Sequence, residues 1–218
     1  MYTRLGCQGR PPRFVVEFYP YANLVNTIRL REDTAYVRLS DLLRRAPLLV
    51  LEAAAAILLA RLYRRRTPRE LLETYRTFSL ARDTRRRLLR ARRTRGQPLA
   101  SGPSGRFHDL ARMFGPLNRR YFSGRLRRPR LGWSARPWRT QLGCFDPGLN
   151  QIVINACLDR ANVPAFVVEY VLFHEMLHVK HPMRAASCGL RSHSAEFRGE
   201  EKRFRAYERA RRFLERLS

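Results

Sequence analysis

The stretch PAFVVEYVLFHEMLHVKHP, residues 164–182, decides the fold expected for this chain. It begins and ends with proline, which is favoured in the first turn of a helix and cannot continue one, so it predicts a single helix that ends near His181. Apolar side chains surround this helix on almost every side, as in helices that are buried in a core. Among the polar residues that interrupt the pattern are His174, Glu175 and His178. Buried polar groups without partners are costly, so the stretch predicts a metal ion as their partner.

The spacing of these three residues is typical of a catalytic metal site. His174 and His178 are four residues apart, which puts both imidazoles on one face of a helix, one turn apart. Glu175 lies beside the first histidine, where its carboxylate can act as general base on a water molecule. The pattern therefore predicts a zinc ion (Zn²⁺) and the hydrolysis of peptide bonds in proteins. Without a metal, these would be two core histidines bonded to backbone carbonyls.

A catalytic zinc site needs a third protein ligand. One common spacing, HExxHxxGxxH, does not occur, because His181 stands at the position of its glycine and Arg184 at that of its last histidine. The residues leave three candidates for the third ligand: His181, His193 and Glu196.

Residues 1–80 predict β-strands followed by two helices. Apolar residues alternate with polar ones between residues 13 and 39, and Arg31–Thr34 is a plausible hairpin turn. Pro47 opens the first helix, and the capping-box pattern at Thr67–Glu70 opens the second.

Residues 81–105 are predicted to be an Arg-rich linker. The run Arg82–Arg95 contains many arginines, and a segment rich in Gly, Pro and Ser follows it. The run is either the solvated face of a helix or an arm that tracks phosphates.

Residues 106–218 form the second predicted domain. They should contain a helix kinked near Pro116, short strands, the HExxH helix and a last helix over residues 195–217.

Composition limits the classes of partner. The net charge is +26, with 44 Lys and Arg against 18 Asp and Glu, so we expect non-specific electrostatic binding to nucleic acid. The four cysteines are scattered, which excludes a CxxC zinc ribbon, although Cys188 lies between the candidate ligands. The first residues lack the apolar segment of a secretory signal, and the apolar run Leu48–Ala60 is too short to span a bilayer. We therefore expect a cytoplasmic protein with no membrane contact.

Six short motifs stand between residues 118 and 197: NRRYFSGRL (Asn118–Leu126), LGWSAR (Leu131–Arg136), LGCF (Leu142–Phe145), IVIN (Ile152–Asn155), HEMLH (His174–His178) and HSAEF (His193–Phe197). Together they resemble the SprT-like metallopeptidase family, which includes the Spartan-type DNA–protein crosslink proteases. The resemblance implies an α+β, zincin-like fold, with a small antiparallel sheet packed on the HExxH helix and an N-terminal β-hairpin and helical region before it. It also implies protein substrates, held by strand addition to the sheet edge.

The resemblance implies His193 as the third zinc ligand. Helix geometry agrees, because His174 and His181 would lie about 10.5 Å apart along a helix axis, too far to share one ion with the ring between them. The loop Pro182–Ser192 is long enough to bring His193 back to the helix.

Two other classes of protein remain possible on the sequence. One is a non-catalytic nucleic-acid-binding protein whose zinc braces the fold, although a purely structural site needs no base such as Glu175. The other is a metal-dependent nuclease, but nucleases usually use carboxylate-rich sites for Mg²⁺, and acidic residues are sparse here.

Overall fold

The computed structural model describes Tyr2 and residues 10–97, 101–181, 184–186, 189–191 and 193–217. These residues form a mixed α+β protein with seven α-helices, two three-stranded sheets and one two-stranded sheet. The chain divides into two compact units, Met1–Gly96 and Gln97–Ser218. Cys188, which lies between the candidate ligands in the sequence, is outside the described residues.

The first unit contains a mixed sheet with the strand order β1-β3-β2. Its strands are β1 (Arg13–Tyr19), β2 (Thr27–Arg31) and β3 (Thr34–Ser40). Strand β1 runs parallel to β3, and β2 runs antiparallel to it. The predicted hairpin turn at Arg31–Thr34 is confirmed. Its residue Glu32 adopts φ 50°, the left-handed conformation that tight two-residue turns require.

Three helices complete the first unit: α1 (Leu48–Leu62), α2 (Arg69–Leu80) and α3 (Arg82–Arg95). The helix predicted to open at Pro47, which contains the apolar run Leu48–Ala60, is α1. It packs Val50, Ala54 and Leu58 against Val37 and Leu39 of the sheet. No helix among the described residues is long and apolar enough to cross a bilayer.

Helix α2 differs from its prediction in one respect, and α3 agrees with one of its two interpretations. The predicted capping box does not form, because α2 begins after Pro68 and no side chain caps it. The Arg-rich part of the predicted linker is helical over Arg82–Arg95, as the interpretation of this run as a solvated helix face requires, and it buries Thr84 and Ala91. Arginine is a good helix former, so a run of it is compatible with a helix.

The second unit is built around the predicted HExxH helix. Its elements are α4 (Leu110–Phe122), β4 (Arg130–Trp133), β5 (Gly143–Asp146), β6 (Gln151–Ile154), α5 (Ala165–Lys180), β7 (Arg184–Ala186), β8 (Gly189–Arg191), α6 (Ala195–Glu201) and α7 (Tyr207–Leu217). Helix α5 lies in the core of this unit: Val167, Val168 and Leu172 are fully buried.

The sheet of the second unit is mixed, so the expectation of an antiparallel sheet was wrong in part. Its order is β4-β6-β5, with β4 parallel to β6 and β5 antiparallel to it. A tight turn joins β5 to β6, where the Asp146 carboxylate accepts hydrogen bonds from the backbone N–H groups of Gly148 and Leu149. The longer connection from β4 carries the chain to the far side of β6. The alternation of apolar residues indicates a strand but not its direction.

The predicted last helix is two helices, α6 and α7. The chain turns between Glu201 and Tyr207, where Phe204 is buried and its ring stacks on Phe173 of α5 at 5.4 Å. The phenolic oxygen of Tyr121 accepts a hydrogen bond from the backbone N–H of Arg205 at this turn. Tertiary packing therefore breaks a segment that has helical propensity throughout.

Candidate metal centre

Helix α5 places two histidines on one face and a glutamate beside them. The ring centroids of His174 and His178 are 5.0 Å apart, as expected for residues one turn apart. The third member, Glu175, is only 4% exposed. The predicted spatial arrangement of these three residues is therefore present.

His193 joins this pair from the segment that enters α6. Its Nε2 lies 3.2 Å from His174 Nε2. One ligand atom from each of His174, His178 and His193 lies within 4.8 Å of the other two. The hydroxyl of Ser194 accepts a hydrogen bond from the backbone N–H of Phe197, which fixes the start of α6.

The ring of Phe197 packs against all three imidazoles. Its side chain is fully buried, and its ring centroid lies 5.1 Å from that of His174 and 4.7 Å from those of His178 and His193. A rigid apolar ring at this place restricts how the imidazoles can turn.

The other two candidates for the third ligand lie outside this group. His181 ends α5, and its Nε2 lies 3.2 Å from Glu200 Oε1. Glu196 is exposed on α6. Among the described residues, the histidine group therefore consists of the three that the resemblance implied.

Glu201 is a site residue that the sequence did not reveal. Its Oε1 lies 2.7 Å from His174 Nδ1 and accepts a hydrogen bond of 2.9 Å from the Tyr170 hydroxyl. Burial opposes ionisation of Glu201, but its hydrogen bond and charge interaction with His174, and the Tyr170 hydroxyl, hold its pKa below the usual value. A proton on His174 Nδ1 leaves Nε2 as the lone-pair donor that faces the other imidazoles.

The sequence contained only a weak signal for Glu201. It lies eight residues after His193, in a stretch that also offers Glu196 and Glu200. Which of three carboxylates faces His174 depends on the rotation of α6 against α5, and no local pattern encodes that rotation.

Burial is the main influence on the charge states at the site. It raises the pKa of Glu175 to about 7, against the opposing effects of His174 and of a hydrogen bond from the Phe145 backbone. Burial, together with the neighbouring histidines, lowers the pKa of His178 to about 4. The pKa of His193 is also lowered, first by burial and then by His174. His178 and His193 are therefore neutral near pH 7, as metal ligands must be.

Gly143 of β5 leaves room for the Glu175 side chain. A Cβ atom at Gly143 would lie 2.7 Å from Glu175 Oε1 and 2.8 Å from its Cγ. Such distances are shorter than van der Waals contact, so only glycine allows the carboxylate to pack against this strand.

An open cleft with a volume of 520 Å³ reaches one side of the site, where His174, Glu175 and Glu201 line it. One wall is the segment of residues 138–143, and Arg211 and Glu215 of α7 also line the cleft. The side chain of Asn155, which is fully buried, accepts a hydrogen bond from the Trp138 backbone N–H and donates to the carbonyls of Trp138 and Gln141. Asn155 therefore holds the segment of residues 138–143 in place through these hydrogen bonds.

The donor set fits zinc. Three imidazoles with nitrogens that converge, one of them held by a carboxylate on its other nitrogen, form the His₃ arrangement of catalytic zinc sites, which keep a fourth position open. Oxygen-rich sites for Mg²⁺ or Ca²⁺ have a different chemistry. Comparisons with protein-family models, with curated proteins and with solved structures give no match to this chain.

Proposed function

We propose that this protein is a zinc-dependent peptidase of the SprT-like kind, which hydrolyses peptide bonds in proteins. The observation that supports this best is the convergence of His174, His178 and His193 beside Glu175, where His174 and the buried Glu175 carboxylate line an open cleft. The three histidines would hold the ion, and Glu201 would orient His174. When bound, zinc supplies Lewis-acid activation of water and of the scissile carbonyl.

Glu175 is the proposed general base. It takes a proton from the attacking water and later passes it to the nitrogen of the leaving amine. Without metal, burial raises the pKa of Glu175 to about 7, and a bound dication would lower this pKa and favour the ionised form that a base requires. Gly143 keeps the carboxylate against β5, beside the cleft.

Strand β5 is the proposed support for the substrate. It is one of the two edge strands of its sheet, and its first residue, Gly143, lines the same cleft as Glu175. An extended polypeptide that pairs with an edge strand is bound through its backbone, so side-chain preference should be broad.

The test is the cleavage of an unfolded protein substrate by the zinc-loaded chain and by its Glu175→Gln variant. The amide cannot accept a proton, so we expect a rate loss of at least about 10²-fold with the zinc content unchanged. Glu169→Gln is the matched control, because Glu169 lies on the same helix but lines a different pocket. Zinc binding without cleavage by the parent chain would favour a structural zinc in a non-catalytic nucleic-acid-binding protein instead.

A further inference from the structure

The sheet of the first unit has one apolar face that packs on the core and one face that carries exposed aromatic and charged side chains. Along β3, Ala35, Val37 and Leu39 are buried, whereas Tyr36 and Arg38 between them are exposed. Successive side chains of a strand point to opposite sides, so Tyr36 and Arg38 belong to the side away from the core. We call this side the outer face.

The strand register identifies the other members of the outer face. In β2, Arg29 is paired with Tyr36, and Thr27 with Arg38. In β1, Val15 is paired with Tyr36, and Glu17 with Arg38. Residues that are paired across strands share a face. The outer face thus consists of Arg13, Val15, Glu17, Tyr19, Thr27, Arg29, Arg31, Thr34, Tyr36 and Arg38.

Aromatic rings lie open on this face. Tyr36 is 46% exposed and Tyr19 is 43% exposed. The ring of Tyr21, two residues after β1 ends, lies 4.7 Å from that of Tyr19, and the Arg38 guanidinium lies 5.2 Å over the Tyr19 ring. Large exposed rings on a sheet offer flat surfaces on which other planar groups can stack.

Positive charge surrounds these rings. The outer face carries four arginines, and its one carboxylate, Glu17, is paired with Arg38. A depression of 350 Å³ on this face is lined by Tyr21, Tyr36, Arg29, Arg31 and Arg38 among others. The whole first unit has 22 arginines, no lysine and eight acidic residues, a net charge of +14.

We propose that the outer face binds single-stranded nucleic acid, with bases stacked on Tyr36 and Tyr19 and phosphates held by Arg13, Arg29 and Arg31. Stacking on aromatic rings combined with a cationic track is how proteins bind single strands without sequence preference. A duplex can contact only the arginines through its phosphates, because its bases are stacked on one another and cannot stack on the tyrosine rings. This proposal does not depend on the metal centre of the second unit.

The test measures the binding of the full chain to labelled single-stranded DNA, single-stranded RNA and duplex DNA of matched sequence. We expect Tyr36→Ala to weaken single-strand binding by roughly 5- to 100-fold, the range for loss of one stacked base, and Tyr36→Phe to preserve it. Tyr36→Ala should leave duplex binding unchanged. Arg29→Gln should reduce the slope of log K against log salt by about 0.7 for single strands.

Phe107→Ala is the matched control, since Phe107 is 48% exposed and lies beside the Arg106 guanidinium in the second unit. Its binding should equal that of the parent chain. Equal losses from Phe107→Ala and Tyr36→Ala would overturn the proposal. Single-strand binding that is unchanged in both Tyr36→Ala and Tyr19→Ala would also overturn it. A third contradicting result would be an acidic polypeptide that binds the parent chain as tightly as the single strand does and is weakened equally by Tyr36→Ala.

Discussion

His193 and His181 are the two histidines that the sequence offered as third ligand, and they form a matched pair of variants. His193 Nε2 lies 3.2 Å from His174 Nε2, whereas His181 lies against Glu200. We expect His193→Ala to weaken zinc binding by more than the roughly 10–100-fold that changes outside the ligand set cause. His181→Ala should keep parental affinity. Competition with a chromogenic chelator measures both. The opposite order would exclude His193 as a ligand while leaving the HExxH pair in place.

The second prediction for a single residue concerns Gly143, which packs against the Glu175 carboxylate. A methyl group there would displace the Glu175 carboxylate, with which its Cβ would overlap at 2.7 Å. We expect Gly143→Ala to lower kcat strongly while the zinc content stays at one ion per chain. Gly199→Ala is the control, because nothing lies within 4 Å of a Cβ at that helical position. Parental kcat in Gly143→Ala would show that the position of Glu175 is unimportant or that β5 shifts to accommodate the methyl group.

Helix α3 carries exposed arginines on one side, and it is where the sequence suggested phosphate contact. Arg86, Arg90 and Arg93 follow an i, i+4, i+7 pattern and are exposed. We expect replacement of all three by glutamine to reduce the salt dependence of duplex binding, by up to about 0.9 in slope for each arginine that contacts a phosphate. Circular dichroism should show an intact helix, because the buried residues Thr84 and Ala91 are unchanged. An unchanged slope would exclude α3 from the nucleic-acid contact.

Some helices and strands could be predicted from the sequence, and others could not. Helix α5 and the β2–β3 turn follow from local signals: an apolar run between prolines, and a polar turn between alternating segments. The parallel direction of β4 and the break between α6 and α7 do not. They depend on contacts between distant residues, such as the Phe204 ring on Phe173.

The same distinction holds at the metal centre. His174, Glu175 and His178 could be predicted because their spacing is that of one helix turn. His193 needed the family resemblance in addition, and Glu201 needed the structure, since its role depends on how α6 packs against α5.

The two units have separate cores, so zinc should stabilise them differently. The core of the second unit surrounds α5, and that of the first lies between its sheet and α1. All three histidines belong to the second unit. Zinc at about 100 times its Kd should add roughly 2.7 kcal/mol to the free energy of unfolding of that unit. Calorimetry with zinc and with EDTA should show one transition that moves and one that does not. A zinc-dependent shift that persists in His193→Ala would place the ion elsewhere.

The buried side chain of Asn155 has a consequence for how a substrate would be received. Its hydrogen bonds to Trp138 and Gln141 hold one wall of the cleft in place before anything binds. A loop that must become ordered on binding loses about 1–2 kcal/mol of backbone entropy per residue, and a loop that is already held does not. Recognition by this cleft should therefore resemble insertion into a rigid slot, in which an incoming polypeptide loses most of the conformational freedom and the cleft loses little.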